Sequence, residues 1–158
     1  MSVNTLSNVL DQIRQDLATL PNLRQCHFDI PDSINLRPAI VVAPATGTWR
    51  YSSHSGPGGK PMRWALHTVN IVLLVARKDL ARDYALVLDF ADTIPDWLWL
   101  GFERDEFGGS MVMIGDPDFA NNATRPMRYT IGESRWGSDA DLVLTLELDI
   151  SINAEIQV

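Results

Sequence analysis

Near the end of the chain, Leu142, Leu144, Leu146, Leu148, Ile150 and Ile152 alternate with Val143, Thr145, Glu147, Asp149 and Ser151. Side chains on a strand point to opposite faces in turn, so this period of two describes a strand with one face in a core. A slip of one residue would turn every leucine outward, so the register is tightly specified. The chain must therefore build a sheet and cover one face of it.

Two segments have the periodicity to do the covering. Leu6, Val9, Leu10, Ile13, Leu17 and Leu20 recur at three- and four-residue steps, which predicts an amphipathic helix in the first 20 residues. Asn4, Thr5 or Ser7 is placed to cap it, and Pro21 prevents simple continuation. Asp79 is placed to cap a second helix whose core stripe is Tyr84, Val87, Leu88, Ala91 and Ile94. That helix is expected to run to about Thr93 and to end or kink at Pro95, with IPDWLWLGF starting a further turn.

The other apolar segments read as strands. Cys26, Phe28 and Ile30 alternate with polar neighbours, and residues 39–43 form a short apolar run bounded by Pro38 and Pro44, with Trp49 and Tyr51 extending a hairpin arm. Residues 63–75 form a long strand with Ala65, Val69, Ile71, Leu73 and Val75 on one face, while Val72 and Leu74 make the second face apolar at its far end. Residues 111–114 and 127–131 read as shorter strands that pair as a hairpin across a turn-rich connection. The stretch SSHSGPGGKP, residues 52–61, has too little apolar material to order against a core and reads as a flexible loop. Helix, strands, helix, strands, without regular βα alternation, predicts an α+β fold: a mostly antiparallel sheet with two main helices packed on one face. At 158 residues the expectation is a single domain over 1–158.

Composition removes several classes of function from the expectation. Cys26 is the sole cysteine, so an intrachain disulfide scaffold is excluded and a reducing interior is expected. Polar residues interrupt the first 20 positions too often for a signal-peptide core, and the longest apolar run is far short of the about 20 residues that span a bilayer. A soluble protein with no membrane association is expected. The formal charge of -7, from 13 basic and 20 acidic residues, sets an average field that repels phosphate backbones.

No constellation assembles a catalytic or metal site. GPGGK at residues 56–60 has the glycines of a phosphate loop, but His54 stands where the first glycine belongs and Pro61 where a magnesium-ligating Ser or Thr belongs. Cys26 and His27 are adjacent on a strand and so point apart. His67 lies mid-strand, as a sheet-surface or hydrogen-bonded histidine. Asp116 and Asp118, or Glu103, Asp105 and Glu106, carry oxygen ligands for a hard cation, yet both groups read as turns or solvated loops. No serine lies in a G-x-S-x-G frame. Catalytic, cofactor-binding and metal-binding residues are therefore expected to be none, and no cofactor is implied. Aromatic side chains dominate protein interfaces, and those in or near the loops have least reason to be buried. Trp49, Tyr51, Lys60, Trp97, Trp99 and Trp136 are the candidate interface residues.

The order of elements carries a resemblance: an amphipathic N-terminal helix, strands, a long loop, the strand RWALHTVNIVLLV, the helix DLARDYALVLDFADTIPDWL, a short-strand region, and the closing strand DLVLTLELDIS. In this order, and in length and hydrophobic texture, the chain resembles the tail terminator (tail completion, or minor tail) proteins of long-tailed bacteriophages. The resemblance covers nearly the whole chain and rests on no short motif. It implies a structural virion protein, usually a homo-hexameric ring, that caps the tail tube, stops its polymerisation and presents a head–tail joining surface. The implied partners are the major tail tube protein and the head–tail connector, with DNA passing through the channel without specific binding. The implied location is the head-proximal end of the virion tail, after assembly in the host cytoplasm. Loop 52–61 and segment 132–141 are then the candidates to reach neighbouring subunits or the tube. Another head–tail connector or neck protein, or a small ligand- or protein-binding module, are the alternatives, with a divalent-cation enzyme a third.

Overall fold

The computed structural model describes residues 5–27, 37–53, 57–104, 106–107, 112–114, 127–136 and 139–156. In chain order the elements are α1 (Leu6–Leu17), β1 (Gln25–His27), β2 (Ala39–Ser52), β3 (Met62–Ala76), α2 (Leu80–Glu103), β4 (Val112–Ile114), β5 (Arg128–Trp136) and β6 (Asp139–Glu155). The fold is α+β, with both helices on one face of a sheet that is antiparallel at every pairing except β1 with β2.

The alternating leucines and isoleucines of residues 142–152 lie on β6, the spine of the sheet. One of its edges pairs with β3 from Ala76↔Asp141 to Met62↔Glu155. Its other edge is shared: β5 takes residues 139–147 and β4 takes 150–152. The segments 112–114 and 128–136 therefore do not pair with each other as a hairpin, because a 17-residue strand offers room for both along one edge. Within segment 132–141, residues 132–136 and 139–141 are the facing ends of β5 and β6, and residues 137–138 lie outside the described residues.

Leu142 through Ile152 at every second position join Val69, Ile71, Leu73 and Val75 of β3 and Ile40 and Val42 of β2 in one core under the helices. A smaller cluster, Ala39, Val41 and Leu74 with Val72 and Val143, makes the opposite face apolar at one end, as expected for that part of β3. There Asp141, fully buried, accepts a hydrogen bond of 3.2 Å from Arg37 Nη2, so the buried carboxylate is paired.

Pro44 does not end β2. The strand continues for eight residues, and the ladder shifts register between Pro44 and Thr46. β1 pairs only with residues 39–41, so Pro44 sits on an edge where a missing N–H costs no ladder bond. The shift has a consequence for side-chain direction. Before it, Ile40 and Val42 face the helices; after it, Trp49 and Tyr51, opposite Ala65 and Arg63, take that face.

α1 is shorter than its periodicity: Thr5 caps it by accepting from Asn8 N, and it closes at Leu17 with Leu20 buried beyond it. Asp79 caps α2 as expected. Pro95 neither ends nor breaks α2, which runs 24 residues through it; the one lost backbone bond is outweighed by Ile94 and Leu98, both fully buried on either side. The core face of α2 is Val87, Phe90, Ile94, Leu98 and Phe102, with Asp83 buried among them, while Tyr84 and Leu88 of the expected stripe face outward. β1 covers Cys26, but Phe28 and Ile30 lie outside the described residues.

Candidate interaction surface

The rotation of α2 begins with Asp83. Its Oδ2 accepts hydrogen bonds from the backbone N–H groups of Lys78 and Asp79, each at 2.8 Å, and so satisfies orphan donors at the helix entrance. These bonds, first that from Lys78, hold its carboxyl below the ordinary carboxylate range. With Asp83 turned inward, the residues one step round the helix turn out. Leu80, Tyr84 and Leu88, four residues apart, are 51%, 41% and 45% exposed.

This flank forms one wall of a groove whose other wall is β5. The groove has a volume of about 690 Å³ and is lined by Leu80, Ala81, Tyr84, Ile131, Gly132, Glu133 and Leu142. Arg77 Nη1 donates to Glu133 Oε2 at 2.8 Å and ties the entrance of α2 to β5. Tyr129, in register with Leu146 and on the same face of β5 as Ile131, is 59% exposed. Among the described residues the outer edge of β5 pairs with no strand.

The second surface is the arm made by the far halves of β2 and β3. Trp49 and Tyr51 are 57% and 67% exposed there. Trp49 meets the buried His67 edge to face at 6.3 Å, and burial lowers the His67 pKa, with Arg63 adding to the effect. Gly47 makes room for that ring: a Cβ there would lie 2.6 Å from His67 Nδ1. On the other face the Arg50 guanidinium lies 5.9 Å over the Trp64 ring. Within loop 52–61, residues 54–56 lie outside the described residues; Pro57–Gly59 form a 3-10 turn, with Gly58 and Gly59 at φ of 70° and 74°, and Lys60 is exposed.

Of the six candidate interface residues, the fold thus gathers Trp49, Tyr51 and Lys60 on one arm. Trp97 is half-buried against the core beside Asp16, whose pKa is raised first by burial and then by Glu106. Trp99 is 39% exposed on α2, and Trp136 is the last residue of β5, opposite Asp139. Phe102 packs edge to face on Phe107 at 4.8 Å. Sequence reasoning placed Tyr84 and Leu88 in the core stripe of α2 and did not single out Leu80 or Tyr129, and all four are exposed, while Ile131 is half-buried against the core.

For chemistry the arrangement offers little. Among the described residues no three His, Cys, Asp or Glu side chains are grouped to hold a metal ion. Glu103 and Glu106 are exposed, whereas Asp105, Asp116 and Asp118 lie outside the described residues. Cys26 is half-buried against the core, and burial pushes its thiol up to about 12, far from the thiolate a nucleophile needs. Among the described residues no helix is long and apolar enough to cross a membrane. Neither a protein-family profile nor a curated protein sequence matches the chain.

Proposed function

We propose that this chain is a structural virion assembly protein of the tail-terminator kind, and not an enzyme. Copies form a ring, of six subunits, that occupies the end of a tail tube, blocks addition of the next tube ring and offers the head–tail connector its joining surface. The observation that carries this reading is that, among the described residues, the outer edge of β5 and the β2 edge beyond residues 39–41 pair with no strand, each beside exposed aromatic residues. Such a subunit can associate head to tail, and a head-to-tail contact generates a ring when its rotation closes. The element order that carries the resemblance supports the same reading, as does the structural use made of the buried acids Asp83 and Asp141.

In this role the net charge of -7 per subunit favours a channel that DNA crosses without adhering. The apolar α2–β5 groove supports the second reading, a ligand- or protein-binding module. Electron microscopy and native mass measurement of the concentrated protein, alone and with tail tube protein, separate the two. Closed rings, free or at tube ends, are expected. A protein that stays monomeric at every concentration and leaves tube ends bare overturns the proposal.

A further inference from the structure

The outward flank of α2 changes character along its length. Leu80, Tyr84, Leu88, Asp92 and Asp96 follow one another at four-residue steps, each step about 6 Å along the helix, and all five are exposed. After Arg82 every charged residue of α2 is acidic. Among the described residues neither Asp92 nor Asp96 is in an ion pair. The flank is therefore apolar over its first two turns and negatively charged beyond them.

β5 runs beside this line in the opposite direction. α2 begins where Arg77 is tied to Glu133 and passes on over β4, which lies past the start of β5 along β6. Leu80 and Tyr84 share the groove with Ile131 and Glu133. On the helix-bearing face the residues of β5 recur at two-residue steps of about 6.6 Å, close to the step of the helix line. Counted from the Arg77–Glu133 tie, Leu80 stands roughly level with Glu133, Tyr84 with Ile131, Leu88 with Tyr129 and Asp92 with Met127.

The strand edge under this flank is open. β5 turns the N–H and C=O of every second residue away from β6, and among the described residues no strand takes them. Tyr129, Thr130 and Glu133 are exposed, and a Cβ built on Gly132 meets nothing within 4 Å. A strand laid on this edge sends one row of its alternate side chains beneath the α2 flank, in step with the helix line.

We propose that the α2–β5 groove takes an extended polypeptide segment, paired antiparallel with the outer edge of β5. Apolar side chains at three alternate positions of the segment lie beneath Leu80, Tyr84 and Leu88, and a lysine or arginine two residues further on meets Asp92. Main-chain bonds to the edge supply affinity, and the alternate side chains supply selection. The antiparallel sense follows from its stronger ladder, and it puts the basic residue at the C-terminal end of the segment. This site stands apart from ring formation, which tube capping reads, so either can fail alone.

The test uses the whole chain with fluorescein-labelled peptides, read by anisotropy and by amide hydrogen exchange. VTVTVTK has the required pattern, VVVTTTK has the same composition without the alternation, and VTVTVTE reverses the terminal charge. The protein should bind VTVTVTK about tenfold more tightly than VVVTTTK and about threefold more tightly than VTVTVTE. Asp92→Lys should reverse the preference for lysine over glutamate, and Tyr84→Glu should remove binding; both positions are exposed. With VTVTVTK bound, exchange should slow at alternate amides of β5. Equal binding of VTVTVTK and VVVTTTK, an unchanged charge preference in Asp92→Lys, or slowed exchange away from β5 overturns the proposal. A protein that dimerises without peptide, excludes VTVTVTK and becomes monomeric in Tyr84→Glu also overturns it, because the occupant is then a second copy.

Discussion

Leu146→Ala tests the face assignment on which the whole sheet depends. Leu146 is 3% exposed and sits in register between Ile71 of β3 and Tyr129 of β5, inside the core under the helices. Removing three buried carbons at about 0.8 kcal/mol each costs about 2.4 kcal/mol in transfer, and the residual cavity brings the loss to about 3 kcal/mol. Its neighbour Glu147 points to the opposite face and pairs with Arg128 at 2.7 Å, but both side chains are largely in solvent, at 43% and 71% exposure. Glu147→Gln should therefore cost less than about 1 kcal/mol. Urea unfolding reads the difference directly. With a slope of about 2 kcal/mol per molar urea, the midpoint should fall by about 1.5 M for Leu146→Ala and by less than about 0.5 M for Glu147→Gln. Equal shifts, or a larger shift for Glu147→Gln, would refute the assigned register. Leu146→Asp adds the cost of an unpaired buried carboxylate and should leave little folded protein.

Gly101 lies on α2 against Phe107, and a Cβ there would overlap the Phe107 ring, so Gly101→Ala should lower the thermal midpoint by about 3 to 10 °C. Gly132→Ala, with nothing within 4 Å of its Cβ, should leave the midpoint in place, and calorimetry on the two checks the contrast. Asp83 has a folded pKa below its unfolded value, so its stabilisation is present above the unfolded value and is lost as pH falls through the folded one. Asp83→Asn should accordingly flatten the loss of stability as pH falls below about 4, and an unchanged acid slope would refute the role given to this carboxylate.

The elements legible in the sequence were those whose periodicity and burial agree. β6 and β3 alternate over long runs because a single core covers one face of each, and Asp79 caps α2 with the residue type that position favours. Pro44 and Pro95 misled in the same direction, because each is a local stop signal whose cost is at most one backbone bond, and the surrounding structure decides the outcome. Pro95 is overridden by the buried Ile94 and Leu98, and Pro44 sits on an edge with nothing to lose. The partners of β4 and β5 were hidden because pairing along a long third strand leaves no local mark. The interaction surface was half legible. Trp49, Tyr51 and Lys60 belong to an aromatic, glycine-containing stretch, but the groove needed the turn of α2 that accompanies the buried Asp83, which puts Tyr84 and Leu88 of the expected core stripe on the surface beside Leu80.

In the proposed role this chain ends a tail tube by occupying the site where the next ring would add. Electron microscopy of lysates from a phage in which this gene is deleted tests it most directly. Tails of irregular or excessive length, together with filled heads that carry no tail, are the predicted result, because both the stop and the joining surface would be missing. Tails of normal length joined to filled heads would contradict the account.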